Sequence, residues 1–126
     1  MTDREFIDFL DLAEKMKCHT RHSWTSTGRE ESVAEHSWRL SLMALLLEKE
    51  IEGVAFEKII KMCIIHDLGE AITGDIPSFL KTKEDSSVEE KGIETLLQKV
   101  PWAQREDMEA LFEEMEKRQT MEAKIY

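Results

Sequence analysis

Five side chains that bind metals or exchange protons fall in two short stretches of this 126-residue chain. His36 lies in "SVAEHSW", and His66, Asp67, Glu70 and Asp75 lie in "IIHDLGEAITGDIP". Ionisable groups seldom sit inside a protein unless they are paired or hold a metal. Two imidazoles and a carboxylate brought together supply the mixed nitrogen and oxygen donors that Mn²⁺, Co²⁺, Fe²⁺ or Zn²⁺ accept. Each residue also has a plainer reading. An inward histidine is often a satisfied core residue, a histidine at a helix end complements the helix dipole, and an aspartate beside a glycine suits a turn. Spacing by itself leaves both readings open.

The elements that would position these groups are helices. Ser32 stands three residues before Glu35, the reciprocal cap that satisfies free N–H groups at a helix start, so a helix is expected over residues 33–49. His36, Leu40, Met43 and Leu47 fall on one stripe of it, expected to face inward. The next helix, over residues 56–68, carries Ile59, Ile60, Cys63 and Ile64 inward, with His66 and Asp67 in its last turn and Gly69 as terminator. A short connection makes the two helices antiparallel neighbours. The start of one then lies beside the end of the other, and His36 meets His66 and Asp67.

Around this pair the signals are again helical. A first helix over residues 4–16 bears a stripe of Phe6, Leu10, Ala13 and Lys17 widened by Phe9 and Met16, followed by the polar, irregular "KCHTRHSWTSTGREE". "TGDIP" reads as a turn and "KTKEDSS" as a mobile loop before a fourth helix capped by Ser87 and Glu90. Pro101 suits the first position of a fifth helix over residues 102–117, and "TMEAKIY" begins a sixth element. The expected fold is all-α, a single bundle of about six helices.

Composition agrees. With 41% apolar and 35% charged residues, two prolines and five glycines, the chain has one domain's worth of core and a helical balance. A formal net charge of −10 argues against a nucleic-acid polymer as partner, since tracking phosphates needs dense Lys and Arg. A small phosphorylated ligand stays compatible, because one cation and one or two basic residues reverse the local potential. Cys18 and Cys63 form no CxxC, which fits two reduced thiols and a cytoplasmic setting. The start "MTDREFIDFLDLAEK" lacks the pattern of a signal, and no apolar run reaches the length of a membrane span, so no membrane association is expected.

"EHSW" at residues 35–38 followed by "HDLGEAITGDIP" at residues 66–77 resembles the HD-domain metal phosphohydrolase superfamily. More narrowly it is similar to the branch of small HD proteins that act as nucleoside 5′-monophosphatases, often on deoxynucleotides. An isolated His-Asp pair is nearly worthless as a signal; the ordered combination is specific. The resemblance implies a helical HD domain over residues 1–126, with one divalent transition metal (Co, Mn, Fe or Zn) held by His36, His66 and Asp67. It implies that Glu70 orients ligands or water and that Asp75 assists proton transfer to the attacking water or leaving oxygen. His66 and Glu70, at i and i+4, agree with a shared face.

Arg21 matches a phosphate-contacting arginine of the family, and a guanidinium can grip two phosphate oxygens at once. Where many relatives follow it with a tryptophan that packs on the nucleoside, this chain has His22, with Trp24 two residues on. Arg21, His22 and Trp24 are thus the candidate substrate contacts, while His19 and Arg29 read as solvated loop residues. The family's fourth metal ligand, an aspartate beyond the segment matching "MEAKIY", has no counterpart within the 126 residues. The resemblance also points to a homodimer, to which Leu111, Phe112 and Met115 would contribute unless they are core.

The expected activity is metal-dependent hydrolysis of a nucleoside 5′-monophosphate to nucleoside and phosphate. Other HD-type reactions, on phosphodiesters, triphosphates or guanosine polyphosphates, are the alternatives within the family. A non-catalytic nucleotide-binding module and a plain helical protein without metal are the alternatives outside it.

Overall fold

The structure, a computed structural model, describes residues 2–73 and 83–126, with the backbone alone for residues 83–87 and 102. Asp75, the "TGDIP" turn beyond Thr73 and residues 81–82 of the expected loop lie outside the described residues. The order of elements is α1 (Asp3–Ala13), α2 (Lys15–Cys18), β1 (Thr20–Trp24), β2 (Glu30–Ser32), α3 (Val33–Leu47), α4 (Phe56–Ile65), α5 (Glu70–Thr73), α6 (Lys83–Lys99), α7 (Trp102–Lys117) and α8 (Met121–Ile125). The fold is the expected helical bundle, with one addition. Residues 20–32, expected to be irregular, form a two-stranded antiparallel hairpin.

That hairpin is held at both ends. The turn places Gly28 at φ +83, a conformation that glycine takes without steric cost, and Thr25 N–H donates to Arg29 O at 2.7 Å. At the base, Val33 N–H donates to His19 O at 2.9 Å, tying the hairpin to the first residue of α3. There Ser32 Oγ accepts from Glu35 N–H and the Glu35 carboxylate accepts from Ser32 N–H, the expected reciprocal cap.

Helix α3 presents a different face to the core from the one expected. Val33, Ser37 and Ala44 are buried, whereas Met43 is 53% exposed and Leu47 is also open to solvent. Small side chains at 37 and 44 let α4 come close, and Phe56, Ile59 and Cys63 pack around Ala44 with Leu40 at the edge. On α4, Ile59 and Cys63 are buried as expected and Ile60 packs partly against the same cluster, but Ile64 points outward, and Met62 and Ile65 take the inner positions. Met62 and Val33 are completely enclosed, each a burial worth about 1.5–3 kcal/mol. The first helix has no buried residue, and Phe6 and Leu10 of its stripe are about half exposed.

Helix α4 stops at Ile65, before the expected end at residue 68. His66 is its C-cap, and the chain turns through residues 66–69 on i to i+3 hydrogen bonds, Leu68 N–H to Ile65 O and Glu70 N–H to Asp67 O, both 2.9 Å. Gly69 is not a left-handed terminator. A Cβ at Gly69 would lie 2.8 Å from Ile93 Cγ1, and one at Gly92 would lie 2.5 Å from Thr73 Cγ2. These two glycines let α6 press against α5 and the turn that carries His66 and Asp67.

Helix α6 begins at Lys83, so the expected cap at Ser87 falls inside it and residues 83–87 of the expected loop are helical. Its end is tied down by Arg105 Nη2, which donates to Gln98 O at 2.8 Å and Val100 O at 3.2 Å. Pro101 is the residue before the first turn of α7 rather than in it. Met115 joins Met62 and Ile65 in the core, with Leu111 and Phe112 packed against them, so these three residues lend no support to a dimer. Glu114 links three helices: its carboxylate accepts from Lys58 Nζ of α4 at 3.1 Å and from Thr120 Oγ1, the cap of α8, at 2.8 Å. Among the described residues, no helix is long and apolar enough to cross a membrane.

Candidate metal centre

His36 leaves the first turn of α3 and His66 and Asp67 leave the end of α4, and the antiparallel contact of the two helices brings them together. His66 Nε2 lies 3.3 Å from His36 Nε2 and 2.9 Å from Asp67 Oδ2, and His36 Nε2 lies 3.7 Å from the same oxygen. A triangle with these sides has a circumscribed radius of about 1.9 Å, slightly less than the roughly 2.0–2.2 Å bonds that first-row divalent metals make to imidazole nitrogen and carboxylate oxygen. The three atoms would all be within bonding reach of a single cation, so the donor set fits a metal in size as well as in chemistry. Among the described residues this is the cluster of His, Cys, Asp and Glu side chains close enough to hold one.

The histidine tautomer is built in. His66 Nδ1 is 2.8 Å from Cys63 O, and a carbonyl oxygen only accepts, so Nδ1 carries the proton and Nε2 turns its lone pair to the centre. The Tyr126 ring meets His66 in a T-shaped arrangement, with ring centroids 6.1 Å apart. Burial pushes the imidazole of His36 down, and the positive charge of Arg21 adds to this. For His66 burial acts in the same sense, but the hydrogen bond and charge of Asp67 outweigh it and leave the pKa raised. Burial works against ionisation of Asp67 too, yet His66, His36 and Arg21 hold its carboxyl below the usual range. Asp67 is therefore held ionised, the form a metal binds, and a cation taking the centre would displace the proton that the same carboxylate favours on His66 Nε2.

Arg21 is on β1, partly buried, and its charge acts on all three centre residues. His22 and Trp24 are exposed on the same strand, and neither makes a ring contact with His36 or His66. Glu70 opens α5, three residues after Asp67, with one carboxylate oxygen shut away from solvent; it lies outside the three-residue donor cluster. The break between α4 and α5 separates it from His66, so the two do not share a continuous helix face. Arg29 is exposed in the hairpin loop, as expected, and its Nη1 also reaches both oxygens of Glu35, at 2.9 and 3.2 Å.

Two neighbours of the centre carried no signal that sequence reasoning used. Glu31 grips Arg21, and it was hidden in the acidic run "REES". Tyr126 is far from the other site residues in sequence, and only the packing of α8 against α4 brings it to His66.

The HD domain family matches residues 13–126. A protein named 5′-deoxynucleotidase HDDC2 from Homo sapiens is 28% identical over 126 residues, covering 97% of this chain and 61% of that protein. Its namesake from Dictyostelium discoideum is 37% identical over 95 residues, covering 68% of this chain and 50% of that one. Among solved structures, that of a predicted metal-dependent phosphohydrolase from Magnetospirillum magnetotacticum superimposes with a TM-score of 0.83 at 30% identity, over 95% of this chain and 62% of that one. The chain thus spans about three fifths or less of the length of these relatives. Its helical bundle, its His-Asp pair and its partner histidine agree with that match, and the chain belongs to the HD-domain family.

Proposed function

We propose that the chain carries the centre of a metal-dependent phosphohydrolase that releases phosphate from nucleoside 5′-monophosphates, deoxynucleotides among them. The observation that carries this reading is the triangle of His36, His66 and Asp67 donors, with sides of 2.9 to 3.7 Å, beside the guanidinium of Arg21. The relatives' names give the substrate class, and the phosphohydrolase whose structure superimposes gives the metal dependence.

When bound, Mn²⁺, Co²⁺, Fe²⁺ or Zn²⁺ would supply Lewis acidity toward a phosphoryl group and acidify water. His66 would hold it through Nε2 because Cys63 O keeps the proton on Nδ1, His36 through Nε2, and Asp67 through Oδ2 with the negative charge that two neutral imidazoles lack. Arg21 takes phosphate oxygens and offsets the charge that develops on them. Glu70, at the start of α5, orients ligands or water, and Asp75 assists proton transfer to the attacking water or the leaving oxygen. His22 and Trp24 lie on the same strand as Arg21 and face solvent, where a nucleoside would approach.

The test is a panel of phosphate-release assays with each of the four metals. Release from nucleoside 5′-monophosphates, with little from phosphodiesters or guanosine polyphosphates, is expected. Preference for either of the latter would move the chain to another branch of the family, and metal binding without turnover of any of them would make it a binding module.

A further inference from the structure

The hairpin beside the metal centre has an uneven register. Thr20 pairs with Ser32 and Trp24 with Glu30, so Arg21, His22 and Ser23 on β1 stand opposite Glu31 alone on β2. The surplus residues form a bulge in which His22 adopts φ +60, a left-handed conformation uncommon for a residue with a Cβ. Bulges of this kind re-aim a neighbouring side chain. Here the neighbour is Arg21, and its Nη1 donates to Glu31 Oε1 at 2.8 Å, with both side chains largely shielded from solvent.

We propose that Glu31 is a positioning residue, which holds the Arg21 guanidinium at the rim of the His36, His66 and Asp67 centre so that its remaining N–H groups face an incoming phosphate. The proposal rests on the reading of Arg21 as the phosphate contact. A guanidinium has five N–H donors in a rigid fork, and the bond to Glu31 uses one of them. An unanchored arginine loses many rotamers when it grips a ligand, and a side chain already fixed by a short charged hydrogen bond has little left to lose. The pair stands close enough to the centre that both charges act on His36, Arg21 disfavouring and Glu31 favouring its protonated form. Glu31 is not one of the clustered metal donors, and apart from the charge it exerts on His36 its link to the centre runs through Arg21.

The experiment is a double-mutant cycle on the metal-loaded protein, reading the affinity for inorganic phosphate and the KM for a nucleoside 5′-monophosphate, with metal content measured alongside. Arg21→Ala and Glu31→Ala should each weaken phosphate binding, Glu31→Ala by about tenfold, with metal content unchanged. Adding Glu31→Ala to Arg21→Ala should weaken it no further, because the glutamate acts on phosphate only through the arginine. Glu31→Gln, which keeps an oxygen to accept the bond, should fall between Glu31→Ala and the unaltered chain, and it serves as the readout if Glu31→Ala does not fold. Equal effects of Glu31→Ala with and without Arg21 would overturn the proposal, as would normal or tighter phosphate binding in Glu31→Ala. If Arg21→Ala itself binds phosphate normally, the reading of Arg21 fails and takes the proposal with it.

Discussion

His66 Nε2 lies 2.9 Å from Oδ2 of Asp67, the next residue in the chain, while His66 Nδ1 is occupied by the carbonyl of Cys63 one turn back. The imidazole is thereby pinned on one side by its own helix and opened on the other to a carboxylate. The helix end at Ile65, the turn that follows and the close approach of α6 at Gly69 maintain that arrangement.

Removing the carboxylate should remove the metal. Asp67→Ala should lower the affinity for Mn²⁺ or Co²⁺ by more than about a hundredfold, since losing even a supporting group around a metal costs ten- to a hundredfold. Helical content should be preserved, because Asp67 sits at the edge of the core rather than within it. Isothermal titration with circular dichroism on the same sample checks both, and stoichiometric metal in the variant would remove Asp67 from the centre.

Removing the guanidinium should affect phosphate alone. Loss of a charged, two-pronged contact costs roughly 1.5–3 kcal/mol, or about ten- to a hundredfold in binding. Arg21→Ala should therefore show that weakening for a nucleoside monophosphate with unchanged metal content. Unchanged substrate affinity would retire the assignment.

Much of this centre was legible in the sequence, for reasons that concern particular residues. The Ser32–Glu35 cap located the start of α3, which placed His36 within its first turn, and the apolar run before His66 located the end of α4 to within three residues. The inner face of α3 was not legible, since Leu40, Leu42, Leu45, Leu46 and Leu47 surround the helix and no period selects a side. Small Ser37 and Ala44 take the inner positions because α4 fills the space with Phe56 and Ile59, a fact of tertiary packing. The hairpin was hidden because "TRHSW" has no apolar alternation; its ends are fixed instead by a glycine turn and by His19 O. Gly69 looked like a helix terminator, and only the position of Ile93 shows that it is there for lack of room.

The contact between Gly92 and Thr73 leads to a prediction about packing. Gly92→Ala gains helix propensity worth about 1 kcal/mol, but its Cβ would fall 2.5 Å from Thr73 Cγ2, and such overpacking costs about 1–3 kcal/mol. The variant should be no more stable than the parent and up to about 2 kcal/mol less stable. A Thr73→Ser change that removes the clashing methyl should recover the loss. Urea unfolding of the three chains measures this, and a clear gain in stability for Gly92→Ala alone would contradict the tight fit.

Glu114 predicts a dependence of stability on pH. Burial raises its pKa, but the bonds from Thr120 and Lys58 outweigh that and leave it below the usual 4.5. A carboxyl depressed in the folded state stabilises the fold above its unfolded pKa, and the contribution disappears as pH falls through the folded value. Lys58→Ala should cost no more than about 1 kcal/mol at pH 7, the worth of a partly exposed ion pair. The difference from the parent should vanish once the pH has fallen below the depressed folded value, where Glu114 is protonated in both chains. Thermal melts across that window check it, and a difference that persists at low pH would mean that Lys58 acts by packing.

The most direct test of the central claim is metal stoichiometry measured together with phosphate release from a nucleoside 5′-monophosphate, on chain stripped with a chelator and then given back Mn²⁺, Co²⁺, Fe²⁺ or Zn²⁺ in turn. The account predicts that at least one of these ions binds once per chain and restores turnover, and that His36→Ala, His66→Ala and Asp67→Ala each lose ion and turnover together. Turnover that survives chelation, or a bound ion that survives all three substitutions, would contradict it.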